Sequence, residues 1–158
     1  MSLGANTLTL SGGGTLESGV LYLDNTSSKL QLNSITVDNV STSADNSGLD
    51  VDANSTVTSL SVAHTTPVSI ASTKTLSGAI TVTAGSIKLG ETGTLAATLS
   101  MSGGTLDADE SLTLSGALTQ GGNITIDVAD GKTLTYSGTA ISLGAYTLTM
   151  SGGGRFSN

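Results

Sequence analysis

The side chains in this 158-residue sequence best suited to chemistry are its acids, which fall in three clusters. They are Asp50, Asp52 and Asn54 in DVDANS, Asp107, Asp109 and Glu110 in DADE, and Asp127 and Asp130 in DVAD. Calcium takes such oxygen ligands, six to eight of them at about 2.3–2.6 Å. The DxDxN pattern imitates the opening of a calcium loop. Ser55 stands where that loop needs Gly, however, and Ser61 where it needs its closing Glu. Along an extended strand the same alternation turns carboxylates to water. The solvated face is therefore the default, and calcium at Asp50, Asp52, Asn54, Asp107 and Asp109 is the weaker reading.

Other catalytic sets fail to assemble. His64, in VAHTTP, is the only histidine, and no GxSxG frames a serine nucleophile. GKT at 131–133 resembles the end of a phosphate-binding loop, but that loop needs a glycine where Ile126 stands. A polysaccharide lyase would need basic residues beside its acids, and the only Arg is Arg155, near the C-terminus. The sequence therefore predicts no enzyme and no catalytic or cofactor-binding residues.

The most regular polar feature is Thr-x-Thr: Thr7/Thr9, Thr56/Thr58, Thr81/Thr83, Thr133/Thr135 and Thr147/Thr149. With the central apolar residue inward, both hydroxyls of a pair point out. Stacked on a flat face, such pairs would form an array like that of ice-binding solenoids. The plainer account is that Thr is a polar residue well suited to strands. The irregular spacing of the pairs does not guarantee one ladder.

Elements that could present these residues follow from composition and period. The chain holds 24 Ser, 26 Thr and 21 Gly, with 11% charged and 3% aromatic residues. Hydrophobic residues at 37% are too many for a disordered chain, while so few rings imply a thin aliphatic core. Without Cys there are no disulfides, thiol catalysis or Cys-zinc sites. A net charge of −7 with dispersed lysines argues against nucleic acid. No apolar run reaches the roughly 18 residues of a membrane span, and MSLGANT does not read as a signal peptide.

Apolar pairs at i, i+2 recur along the whole chain, from Leu8/Leu10, Leu21/Leu23 and Leu30/Leu32 to Leu134/Tyr136, Ile141/Leu143 and Leu148/Met150. Turn-formers such as SGGG, DNTSS, SADNSG and ADGK separate them. Period-2 pairs predict about fifteen short strands with the paired side chains inward. Short phrases also repeat: TLSMSGGTL at 98–106 echoes TLTLSGGGTL at 7–16, and ADESLTLSG at 108–116 echoes ADGKTLTYSG at 129–138. Internal similarity at this range indicates stacked units that bury one another. The expected fold is an all-β parallel β-helix of about five to seven coils of roughly 20–28 residues, with coils about 4.8 Å apart. A β-sandwich is the alternative.

SLGANTLTLSGGG at 2–14 and SLGAYTLTMSGGG at 142–154 agree at 11 of 13 positions. A larger unit of about 140 residues therefore overlies the coil. The expectation is one β-solenoid segment, 1–158, excised from a longer tandem-repeat protein.

The phrases LTLSGG, GGNITI and DGKTLTYSG, with the acidic Ser/Thr/Gly-rich composition, resemble secreted β-helical bacterial surface proteins: filamentous-haemagglutinin-like exoproteins and autotransporter adhesin passengers. That resemblance implies a right-handed β-helix, export to the cell surface, and a structural or adhesive role as stalk or fibre. Expected partners are further copies stacked end to end and possible host-surface or matrix glycans, with neither nucleic acid nor membrane insertion of this segment. Two alternatives stand beside it: an ice-binding solenoid acting through the Thr-x-Thr face, and a carbohydrate-binding or carbohydrate-active β-helix.

Overall fold

The computed structural model describes residues 1–17, 19–139 and 141–158. Nineteen strands and no helix are found among them, wound into successive coils. The first coil holds β1 (Thr7–Ser11), β2 (Thr15–Leu16) and β3 (Leu21–Leu23). The second holds β4 (Lys29–Asn33) and β5 (Thr36–Thr42), and the third β6 (Gly48–Val51) and β7 (Ser55–Val62). The fourth holds β8 (Thr66–Ile70) and β9 (Thr75–Val82), and the fifth β10 (Ser86–Gly90), β11 (Thr94–Leu95) and β12 (Thr98–Met101). The sixth holds β13 (Thr105–Ala108), β14 (Leu112–Leu114) and β15 (Leu118–Gln120). The seventh contributes β16 (Ile124–Val128) and β17 (Thr133–Tyr136), and an eighth opens with β18 (Leu148–Ser151) and β19 (Arg155–Ser157).

Every strand pairing is parallel, and strands pair with equivalents one coil away. One sheet runs β1-β4-β6-β8-β10-β13-β16-β18, in chain order, and forms the first face. Leu8, Leu30, Leu49, Val68 and Leu89 succeed one another in register, setting coils of 22, 19, 19 and 21 residues. Eight rungs span about 34 Å at the parallel-strand spacing. This is the β-solenoid expected from the sequence, at about seven turns.

The second sheet has eleven strands and bends along its length. In β7 the in-out alternation is broken by Thr58 and Ser59, two successive outward residues. β5 shows the same break between Val37 and Val40. Two residues on one side of a strand turn it by a bend, which divides this sheet into a second and a third face. Gly78 sits at that bend in β9 with φ 115°, where a Cβ would lie 1.8 Å from the Val57 carbonyl oxygen.

The interior is a single aliphatic column, including Leu30, Leu49, Leu76, Ile87, Leu95 and Leu99, each no more than 1% exposed. Most of the expected pairs point into it. Two expectations need correcting at the last coil: Ile141/Leu143 forms no named strand and Leu143 is 43% exposed, while Met150 is 47% exposed. Leu8, Leu10 and Leu148 are only half-buried. The reason is geometric. A rung with a coil on one side only cannot enclose its inward side chains.

Several inward positions are polar. Ser28, Ser47 and Thr66 are buried where the third face turns into the first, at the rung positions later taken by Ile87 and Leu106. Local acceptors satisfy them: Ser47 Oγ donates to the Ala44 carbonyl at 2.8 Å, and Thr66 Oγ1 bonds Thr42 Oγ1 at 3.0 Å. Gln120 donates to the Thr147 carbonyl at 2.7 Å, but its buried Oε1 has no protein partner.

Candidate functional site

The outward rows of the three faces differ in chemistry. On the first face, the row through Lys29, Gly48, Pro67, Lys88, Asp107 and Asp127 adjoins a row containing Gln31, Asp50 and Ser69. Charges there meet one another across rungs. Lys29 Nζ lies 3.2 Å from Asp50, and Lys88 Nζ lies 3.6 Å from Asp107 and 3.4 Å from Asp109. At the corner leading to the second face, Lys132 Nζ lies 2.6 Å from Glu110. The Asp107 carboxyl is held above its ordinary value of 3.8, chiefly by burial and then by Asp109, with Lys88 opposing and Asp127 adding to the rise. Asp107 first, then Asp109, push the Lys88 ammonium above 10.5.

These partners account for the acidic residues singled out in the sequence. Asp50 faces Lys29, whereas Asn54 Oδ1 accepts the Thr75 backbone N–H at 3.0 Å. Asp52 is exposed beyond the end of β6. The DxDxN residues thus turn to different partners. Asp107 and Asp109 share Lys88. Among the described residues, no three of His, Cys, Asp and Glu converge as a metal-ligating group. His64 Nδ1 lies 3.7 Å from Asp45 at the turn before β8.

The five Thr-x-Thr pairs do not gather on one face. Thr7/Thr9 lie on β1 and Thr149 on β18, both of the first face, with Thr147 just before β18. Thr56 and Thr133/Thr135 lie on the second face, and Thr58 at the bend. Thr81 lies on the third face, with Thr83 just beyond β9. Other hydroxyls do stack. Thr75, Thr94, Thr113, Thr135 and Ser157 form one ladder on the second face. Ser41, Ser61, Thr81, Ser100 and Thr119 form another on the third, with Tyr22 at its start. The signal for these ladders was a Thr or Ser recurring once per coil, which a search for pairs within one strand overlooks.

The third face carries no charged residue along its strands, since NVST, SLSV, AITV, TLSM and LTQ supply its rungs from β5 to β15. At its start a shallow groove of about 210 Å³ is lined by Tyr22, Asn39, Ser41, Ser59 and Ser61. A groove of about 330 Å³ on the second face is lined by glycines, hydroxyls and Asn54. Neither groove holds a cation.

Comparison of the chain with protein-family models, curated protein sequences and solved structures yields no match. The reading of function therefore rests on these surfaces and on the repeat. The two copies of the repeated phrase occupy the same corner: β1–SGGG–β2 and β18–SGGG–β19 each link the first face to the second. Seven coils separate them.

Proposed function

We propose that this chain is a rod segment of a secreted or cell-surface bacterial protein, a piece of stalk or fibre with a structural or adhesive role. One observation carries the reading: the 140-residue sequence period equals seven coils. A period that closes on a whole number of coils lets copy follow copy without changing the cross-section, so length is gained by repetition alone. Each copy adds about 34 Å. Charges paired across rungs and few exposed aromatics leave few anchors for tight binding, which favours a spacer over a receptor-binding tip. The resemblance to bacterial exoproteins and adhesin passengers supports the same reading.

Antibodies against the folded chain test it. They should decorate intact cells of the organism that makes it, at a distance from the envelope that grows with the number of 140-residue copies encoded. Label confined to the cytoplasm sinks the reading.

A second reading, ice binding, draws on the uncharged hydroxyl ladder of the third face rather than on the five Thr-x-Thr pairs. Thermal hysteresis in a solution of the chain is its test.

A further inference from the structure

The repeated phrase is used twice, through opposite edges. At 7–16, β1 and β2 pair only toward β4 and β5. At 148–157, β18 and β19 pair only toward β16 and β17. The isolated bridges follow the same division: Ser2 pairs forward with Tyr22, and Ser142 pairs back with Thr119. The edge left free at one end is the edge occupied at the other. We propose that this chain joins a second copy of itself head to tail, residues 2–16 of one copy taking the seat on β16 and β17 that residues 142–157 of the other now fill. This inference does not depend on the stalk reading.

The side chains fit that exchange. Leu8 replaces Leu148 opposite Ile124, Leu10 replaces Met150 opposite Ile126, and Ser11 brings the hydroxyl that Ser151 gives to Asp127. The glycines fit as well. In the occupied seat a Cβ on Gly152 would lie 2.0 Å from the Val128 carbonyl oxygen, and one on Gly154 2.4 Å from that of Ala129. Around Gly12 and Gly14 there is open space. Positive φ favours glycine at both, and their lack of side chains also suits a neighbouring backbone on that edge. Gly4 and Gly144 share a left-handed φ, 53° and 57°. The later phrase is the one displaced, because Leu143, Tyr146 and Met150 are all at least 43% exposed, whereas Leu3 and Leu21 anchor the first coil in the core.

Thiol cross-linking in the full chain tests the joint, since no native Cys interferes. Thr9 and Thr125 stand six rungs apart, about 29 Å, beyond any disulfide within one molecule. In the joint, Thr9 takes the place of Thr149 opposite Thr125. A Thr9→Cys/Thr125→Cys chain should therefore give a ladder of disulfide-linked oligomers that grows with concentration. A ladder from Thr9→Cys/Thr149→Cys but not from Thr9→Cys/Thr125→Cys means plain stacking of intact ends and overturns the exchange. Hydrogen exchange on the unmodified chain decides independently of any variant. Amides of 148–157 should lose protection as concentration rises while those of 7–11 gain it. Equal protection of both at all concentrations, in a chain that stays monomeric, overturns the proposal.

Discussion

The first and third faces enclose the same core but show water different chemistry. Leu89 on β10 and Leu99 on β12 are both 1% exposed, in walls of the same solenoid. Outside, the first face pairs lysines and aspartates across rungs, whereas the third shows only small hydroxyl, amide and methyl groups from Ser41 to Thr119. Alternation explains how both are possible: inward positions are constrained by the column, and outward ones only by the rung above and below. The fold is thus held by one set of residues, and the surface is free to vary without it.

If that is right, the walls should be equally sensitive inside. Leu89→Ala and Leu99→Ala should each lower stability by about 2–5 kcal/mol, measured by urea unfolding. A much smaller loss for Leu99→Ala would mean that the third face does not share the column. Next in size is the bend that separates the third face from the second. Gly78→Ala places a Cβ against the Val57 carbonyl at a φ of 115°, and strained positions of this kind cost about 1–3 kcal/mol. Thermal unfolding should show a lower Tm; an unchanged Tm would show that the bend is not fixed there.

The acids give a smaller effect, with opposite signs at two sites. The Asp107 carboxyl is raised, mainly by burial. Its folded form holds the proton more readily than the unfolded chain, so its contribution to stability falls as pH rises through the window just above 3.8. Asp24 is depressed by the Ser2 hydroxyl and the Gly4 N–H. Its contribution is present above the ordinary 3.8 and is lost as pH falls through the lower folded value. Asp107→Asn should therefore raise Tm at neutral pH, with Lys88 still held by Asp109, and flatten the slope above pH 4. Ser2→Ala should lower Tm at neutral pH and leave it unchanged below both Asp24 values. The reverse pattern would mean that the Lys88 pairing outweighs the burial of Asp107.

Much of the fold was legible because pairs such as Leu30/Leu32 and Ile87/Leu89 mark a strand and its inward side together. Second-face strands gave no such mark. Leu95 in β11 and Leu16 in β2 are single inward residues between polar or small neighbours. Thr42, Thr66 and Gln120 are inward by register, although residue type suggests the opposite. The ladders were hidden for a different reason. Rung partners are set by coil length, which changes with each turn: Thr75, Thr94, Thr113 and Thr135 are separated by 19, 19 and 22 residues. A Thr-x-Thr pair reports one rung and carries no information about the next. The acidic clusters read correctly as outward-facing groups, but their lysine partners, such as Lys88 beside Asp107, lie a coil away in sequence.

The change expected to move stability least separates the two faces most sharply. Thr81 is exposed between Ser61 and Ser100, whose short side chains leave room for a longer one to reach water. Thr81→Lys should alter stability by no more than about 0.5 kcal/mol, as surface substitutions usually do. Lys88→Ala, on the first face, removes an exposed pair worth about 0–1 kcal/mol and should lose its effect in high salt. For a rod whose surface serves only to stay hydrated, neither variant changes what the chain does, and thermal hysteresis is absent from all three proteins. If the hydroxyl ladder is instead a working plane, the native chain shows hysteresis. Thr81→Lys then abolishes it by driving a hydrated ammonium through the middle of the array, while Lys88→Ala leaves it intact. Loss of hysteresis in both variants alike would place the activity on neither face.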